Sequence, residues 1–132
     1  MPRPAIVALA LLVALGCRFE PREEPSGAAL YARHCAACHG AEGRGDGPVA
    51  PAFTRPPSDL TALARRNGGR FDAARVAAAI DGRSAVAGHG TREMPVWGVV
   101  FEDELSGEAW VGYRAIESSQ RLTEFVATLQ IE

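Results

Sequence analysis

The spacing of hydrophobic residues divides this chain into stretches of different character. Ala5 to Gly16 form an uninterrupted apolar run of twelve residues without a charge. A bilayer-spanning helix needs about twenty apolar residues, so this run is too short to cross and has the length of the apolar part of an export signal. From Ser26 the pattern becomes helical. SGAALYARHCAACHG carries Leu30 and Tyr31 on one side, with Ser26 as its candidate N-cap. His34, just before Cys35, is expected to be an exposed helix residue. The next stretch, GAEGRGDGPVAPAFTRPPSDLT, is dense in Gly and Pro and predicts loop, with Phe53 as its one aromatic residue. Ser58 or Asp59 then caps a short helix over LTALARR, and Asp72 caps another over AARVAAAI, which Gly82 stops. Val76 and Ile80, one helical turn apart, face the core. Gly90 and Gly98 flank a further loop, and Glu102, Asp103 and Glu104 predict a solvated acidic turn. Leu122, Phe125, Val126 and Leu129 stand at i, i+3, i+4 and i+7, one face of a final helix. Between these, Trp110 and Tyr113 are expected to pack over the core rather than form a partner surface.

These elements are helices and loops without a strand pattern, so the expected class is all-α. The length of 132 residues suggests one domain, and 47% apolar with 23% charged residues marks a globular chain. All fourteen basic residues are Arg and the formal charge is −2, with no basic stripe to suggest nucleic acid. Charge matters most at the N-terminus. Arg3 precedes the apolar run, which ends in ALGC. That ending resembles a bacterial lipobox, in which the cysteine, here Cys17, is acylated and becomes the first residue of the mature chain. Ala14 stands where that pattern prefers Leu, and Leu15 follows it. An ordinary signal peptide would leave Cys17 as a free thiol, a liability in an oxidising compartment that acylation removes. RFEPREEPSG reads as a tether. The expected organisation is a signal peptide over 1–16, a flexible tether over 17–25 and a folded domain over 26–132. The mature chain holds thirteen Arg against sixteen acids, a formal charge of −3. No second apolar run is long enough to cross a membrane.

The chemistry is concentrated at 35–40, CAACHG. A Cys pair at this spacing serves a redox disulfide, half a zinc site, or a cofactor anchor. A structural zinc site takes four ligands, and no second Cys or His pair follows. A thioredoxin-like centre has no need of His39 and sits in a βαβ context that is missing here. C-x-x-C-H is the attachment signature of c-type haem. Cys35 and Cys38 supply two thioether bonds to the porphyrin vinyl groups, and His39 supplies the proximal iron ligand. For the opposite face of the iron the mature chain holds a single methionine, Met94, in TREMPVWG. A thioether favours ferrous iron and raises the reduction potential. Pro95 pushes Met94 away from helical geometry, and His89 is the rival ligand.

The order GAALYARHCAACHGAEGRGDGP, DLT, GRFD, HGTREMPVWG and a final amphipathic helix resembles a class I c-type cytochrome. It is closest to the small monohaem domains of bacterial respiratory chains, over about residues 26–130. The resemblance implies a cytochrome c fold, about four to five helices wrapped around one covalently bound haem, with the first and last helices crossing. It implies that the Pro48 carbonyl accepts the Nδ1 proton of His39, with Pro51 as the second choice. It places Gly27 and Tyr31 against Leu122, Phe125, Val126 and Leu129. Arg92 is the candidate partner of a haem propionate and Arg83 a weaker one. The function implied is electron transfer in the cell envelope, membrane-tethered through Cys17, without bond chemistry at the iron. Its partners would be membrane redox complexes or other electron-transfer proteins. The alternatives are a haem subunit of a larger redox enzyme, or a gas sensor or peroxidase-like catalyst with an open iron.

Overall fold

The computed structural model describes residues 23–83 and 94–131. Its regular elements are α1 (Gly27–His34), α2 (Ala36–His39), α3 (Leu63–Arg66), α4 (Ala73–Asp81), α5 (Trp97–Glu104) and α6 (Val111–Thr128), with single 3-10 turns at Ala50–Ala52 and Leu60–Ala62. Among the described residues there is no strand, and the fold is all-α as expected.

Local chemistry explains most boundaries. The Ser26 hydroxyl accepts the Ala29 amide at 3.2 Å and starts α1. Asp59 accepts the Thr61 amide at 2.9 Å ahead of the second 3-10 turn, and Asp72 accepts that of Arg75 at 3.0 Å ahead of α4. Gly82, at φ 69°, ends α4 in the left-handed conformation that suits glycine.

The long final helix is the spine, and α1, α4 and α5 all pack on it. The crossing of α1 with α6 depends on Gly27. A Cβ there would lie 2.2 Å from the Arg121 carbonyl oxygen, so the two backbones meet directly. One turn on, the Tyr31 ring fills the gap, its centroid 5.0 Å from that of Phe125. Leu122 is fully buried and Val126 nearly so, with Phe125 and Leu129 packed at the edge, as the helical periodicity predicts. Gly27→Val is expected to destabilise the haem protein by about 2–3 kcal/mol, because the atom it meets is backbone and cannot move aside. Thermal unfolding of the variant, read at the haem absorbance, measures it.

Three expectations are corrected. The acidic run Glu102–Glu104 is the last turn of α5 and not a loop turn; Asp103 and Glu104 are exposed as expected, while Glu102 accepts from Arg83 at 2.5 Å. The final helix is longer than its apolar period suggests, because Ser118, Ser119 and Thr123 are buried on it. Each of these hydroxyls donates to the carbonyl four residues earlier, at 3.1, 3.3 and 2.8 Å, which satisfies it within the helix. Trp110 and Tyr113 do not pack over the core; they are 82% and 62% exposed. Next to them, Arg114 pairs with Glu24 and Glu108, and Arg121 pairs with Glu24 at 3.6 Å.

Candidate haem site

Cys35 is the joint between α1 and α2, the C-cap of one and the N-cap of the other, in a near-helical conformation at φ −115° and ψ −37°. The amide ladder continues through it: Cys35 donates to Tyr31 O, His39 to Cys35 O and Gly40 to Ala36 O, each at 2.9 Å. Cys35, Cys38 and His39 therefore share one helical turn. Both thiols are free. Burial, with Cys38 nearby, pushes the Cys35 thiol up to about 11. A redox disulfide centre works with a lowered thiol pKa, so this environment speaks against that reading. No group of three or more His, Cys, Asp or Glu suited to a metal ion occurs among the described residues.

The glycine-rich loop folds back onto this turn. Gly45, Gly47 and Val49 donate their amides to the carbonyls of His39, Cys38 and Ala37 at 2.8, 3.1 and 3.1 Å. A Cβ on Gly47 would stand 2.3 Å from the Ala37 carbonyl oxygen, so only glycine lets the loop lie this close. Gly47–Pro48 is thereby occupied in covering the backbone of the turn. The ring nitrogen of His39 finds a different partner from the one expected: Nδ1 lies 2.9 Å from the carbonyl oxygen of Ser58, in place of Pro48 or Pro51. A carbonyl only accepts, so Nδ1 carries the proton and Nε2 keeps its lone pair for a metal. The strand of loop around Ser58 is itself held. Leu60 donates to Gly43 O at 2.6 Å, Arg66 donates to Asp59 O at 2.6 Å, and Gln130 Nε2 donates to Leu60 O at 2.8 Å. Gln130 Oε1 in turn accepts the Ala64 amide at 2.8 Å.

Tyr31 ties α1 to the end of the turn by donating to the Gly40 carbonyl at 2.7 Å. It is buried, and desolvation pushes its phenol up to about 12. Between pH 10 and 12 the folded chain therefore keeps a proton that the unfolded chain loses. Stability is full below pH 10 and falls as pH rises through this window, by on the order of 2–3 kcal/mol. Tyr31→Phe is expected to be less stable at pH 8 and to lack this alkaline loss, which denaturant midpoints at pH 8, 10 and 11.5 compare.

His34 is not the exposed residue expected. Its side chain is 7% exposed, its ring 5.2 Å from that of Trp97 and 5.4 Å from that of Phe101. Burial lowers its pKa, Arg33 adds to the effect, and Glu104 at 3.7 Å opposes it. Burial wins because the carboxylate is beyond hydrogen-bond reach and Nε2 has no hydrogen-bond partner. The consequence for the site is positional. Trp97 follows Met94 by three residues and His34 precedes Cys35 by one, so this ring contact joins the Met94 segment to the attachment turn.

Met94 itself is 37% exposed, just ahead of α5. Arg83 bonds Asp81 at 2.7 and 2.9 Å and also Glu102, clamping the end of α4 to α5. Phe53 is half-buried in the loop. Cys17, His89 and Arg92 lie outside the described residues. Ser58 and Gln130 are the functional contacts that sequence reasoning missed; Ser58 was legible only as a helix cap, and a lone Gln gives no pattern.

The residues present fit a covalent haem on three counts. The two thiols share a turn with the histidine, that histidine has a free Nε2, and Cys35 opens onto apolar neighbours. Comparison with known proteins supports the same group. The family model described as cytochrome c oxidase, cbb3-type, subunit III matches residues 22–109. No curated protein and no solved structure gives a match. A turn built for thioether attachment and a family match over most of the chain agree: this chain belongs to the cbb3-type cytochrome c oxidase subunit III family, a c-type cytochrome domain with covalently bound haem c.

Proposed function

We propose that this domain is a one-electron carrier of the bacterial cell envelope, its haem iron ligated by His39 and Met94 and its chain held on a membrane by acylated Cys17. The observation that carries this reading is the fixed tautomer of His39, whose Nδ1 proton on the Ser58 carbonyl leaves Nε2 as a strong axial donor. The haem supplies reversible ferric–ferrous chemistry; the chain supplies attachment, ligation and burial. Met94 as the second ligand draws support from the His34–Trp97 contact, which brings its segment to the attachment turn. Donors and acceptors would be membrane redox complexes or other electron-transfer proteins. Docking on them rests on Arg or on apolar contacts, since the chain has no Lys.

A second reading, a haem subunit of a larger oxidase, is favoured by the description of the matching family. The optical spectrum of the purified haem protein, with and without carbon monoxide, tests the ligation. A low-spin ferric form with a sulfur-to-iron band and no carbon monoxide binding supports the carrier. A high-spin form that binds carbon monoxide overturns it in favour of an open iron. Co-purification of a salt-resistant complex after mild solubilisation selects the subunit reading.

A further inference from the structure

We infer that the N-terminal end of α6, which presents Trp110 and Tyr113, rests on the phospholipid interface of the membrane that carries Cys17. The inference rests on the acylated anchor proposed above and adds an orientation to it.

The patch is built to face outward. Trp110 is 82% exposed, Tyr113 62% and Ile116 49%, in a run along the first turns of α6. Trp110 has φ 61°, the sole positive φ on a non-glycine among the described residues. That conformation costs a side-chain-bearing residue roughly 1–2 kcal/mol, and no buried ring contact offsets it here. Trp and Tyr are the residues whose part-apolar, part-polar rings favour the headgroup region of a bilayer.

The tether specifies the occupant. Glu24 is ion-paired with Arg114 and Arg121, on the same helix as the patch. Cys17 precedes Glu24 by seven residues, a chain that reaches at most ~25 Å when fully extended. A lipid on Cys17 therefore holds this half of α6 within that distance of the bilayer. The charges beside the patch are paired with one another, Arg114 with Glu24 and Glu108 and Arg121 with Glu24 and Glu117, two Arg against three Glu. The face thus offers aromatic rings with little net charge, which suits the interface of either a neutral or an anionic membrane. A soluble partner would have to reach the same face past the surface to which the tether draws it.

In the haem protein Cys35 and Cys38 are thioethers and Cys17 is acylated, so an introduced cysteine is the single reactive thiol. Ile116→Cys and, as control, Ala127→Cys near the far end of α6 would each carry a bimane fluorophore. The full-length acylated protein is floated with phosphatidylethanolamine–phosphatidylglycerol vesicles, with and without a lipid bearing a nitroxide at headgroup depth. The expected result is at least about threefold stronger quenching at position 116 than at 127. Trp110→Ser combined with Tyr113→Ser is expected to abolish that difference while flotation persists. Floated protein with equal, weak quenching at both positions overturns the docking and leaves the anchor standing. Protein that fails to float overturns the anchor, and the docking with it.

Discussion

Met94→Ala is expected to remove the sulfur-to-iron band from the ferric spectrum, to let carbon monoxide bind the ferrous form, and to lower the reduction potential steeply. Axial ligands set haem potentials over roughly 0.8 V, and loss of a thioether takes away the donor that favours ferrous iron. The fold is expected to survive. Met94 is 37% exposed and lies outside the buried cluster around Leu30, Tyr31, Phe101 and Leu122, so truncation opens no cavity in it. Equilibrium redox titration beside thermal unfolding separates the two effects. If the band and potential persist in the variant, Met94 is not the ligand and His89 becomes the residue to replace.

The second large effect concerns folding. Replacing both Cys35 and Cys38 with Ala is expected to give a chain with little helical circular dichroism, because haem is no longer captured. The polypeptide core is small: among the described residues, the large side chains that are fully buried are Tyr31, Phe101 and Leu122. α2 and α3 have four residues each, and isolated helices below about a dozen residues are marginal in water. The segment between them, from Gly40 to Asp59, holds no regular element beyond a single 3-10 turn. A ligand bound only by the native state adds its binding energy to stability, and a covalent one is not diluted away. A folded, cooperative apo chain would show that the helices suffice and would count against this account.

Much of the molecule was legible beforehand because the signals were local. Ser26 and Asp72 cap the helices they were expected to cap, Asp59 caps the 3-10 turn that leads into α3, and the apolar positions of α6 face α1 across Gly27. The attachment turn was readable from five residues, since covalent chemistry sets their spacing. What escaped depends on the path of loops. Any carbonyl of the Gly- and Pro-rich segment has the chemistry to accept from His39; that Ser58 does so follows from how the loop returns over the turn, with Gly45 against Pro57 and Leu60 bonded to Gly43. His34 looks solvent-facing in the helical pattern, and only the arrival of Trp97 and Phe101 buries it. The length of α6 was masked because three of its buried residues are hydroxyl-bearing and break the apolar period.

Gln130 has one more consequence. Its amide joins Ala64, Leu60 and Val126, and the next residue, Ile131, donates to Thr61 O at 3.0 Å. These contacts hold the loop whose carbonyl steers the imidazole of His39. A change at Gln130 or Ile131 would thus be read electrochemically, as a drift in midpoint potential, before it showed in yield or melting temperature. For anyone wiring the protein to an electrode, these two residues are a tuning screw and an unsuitable handle.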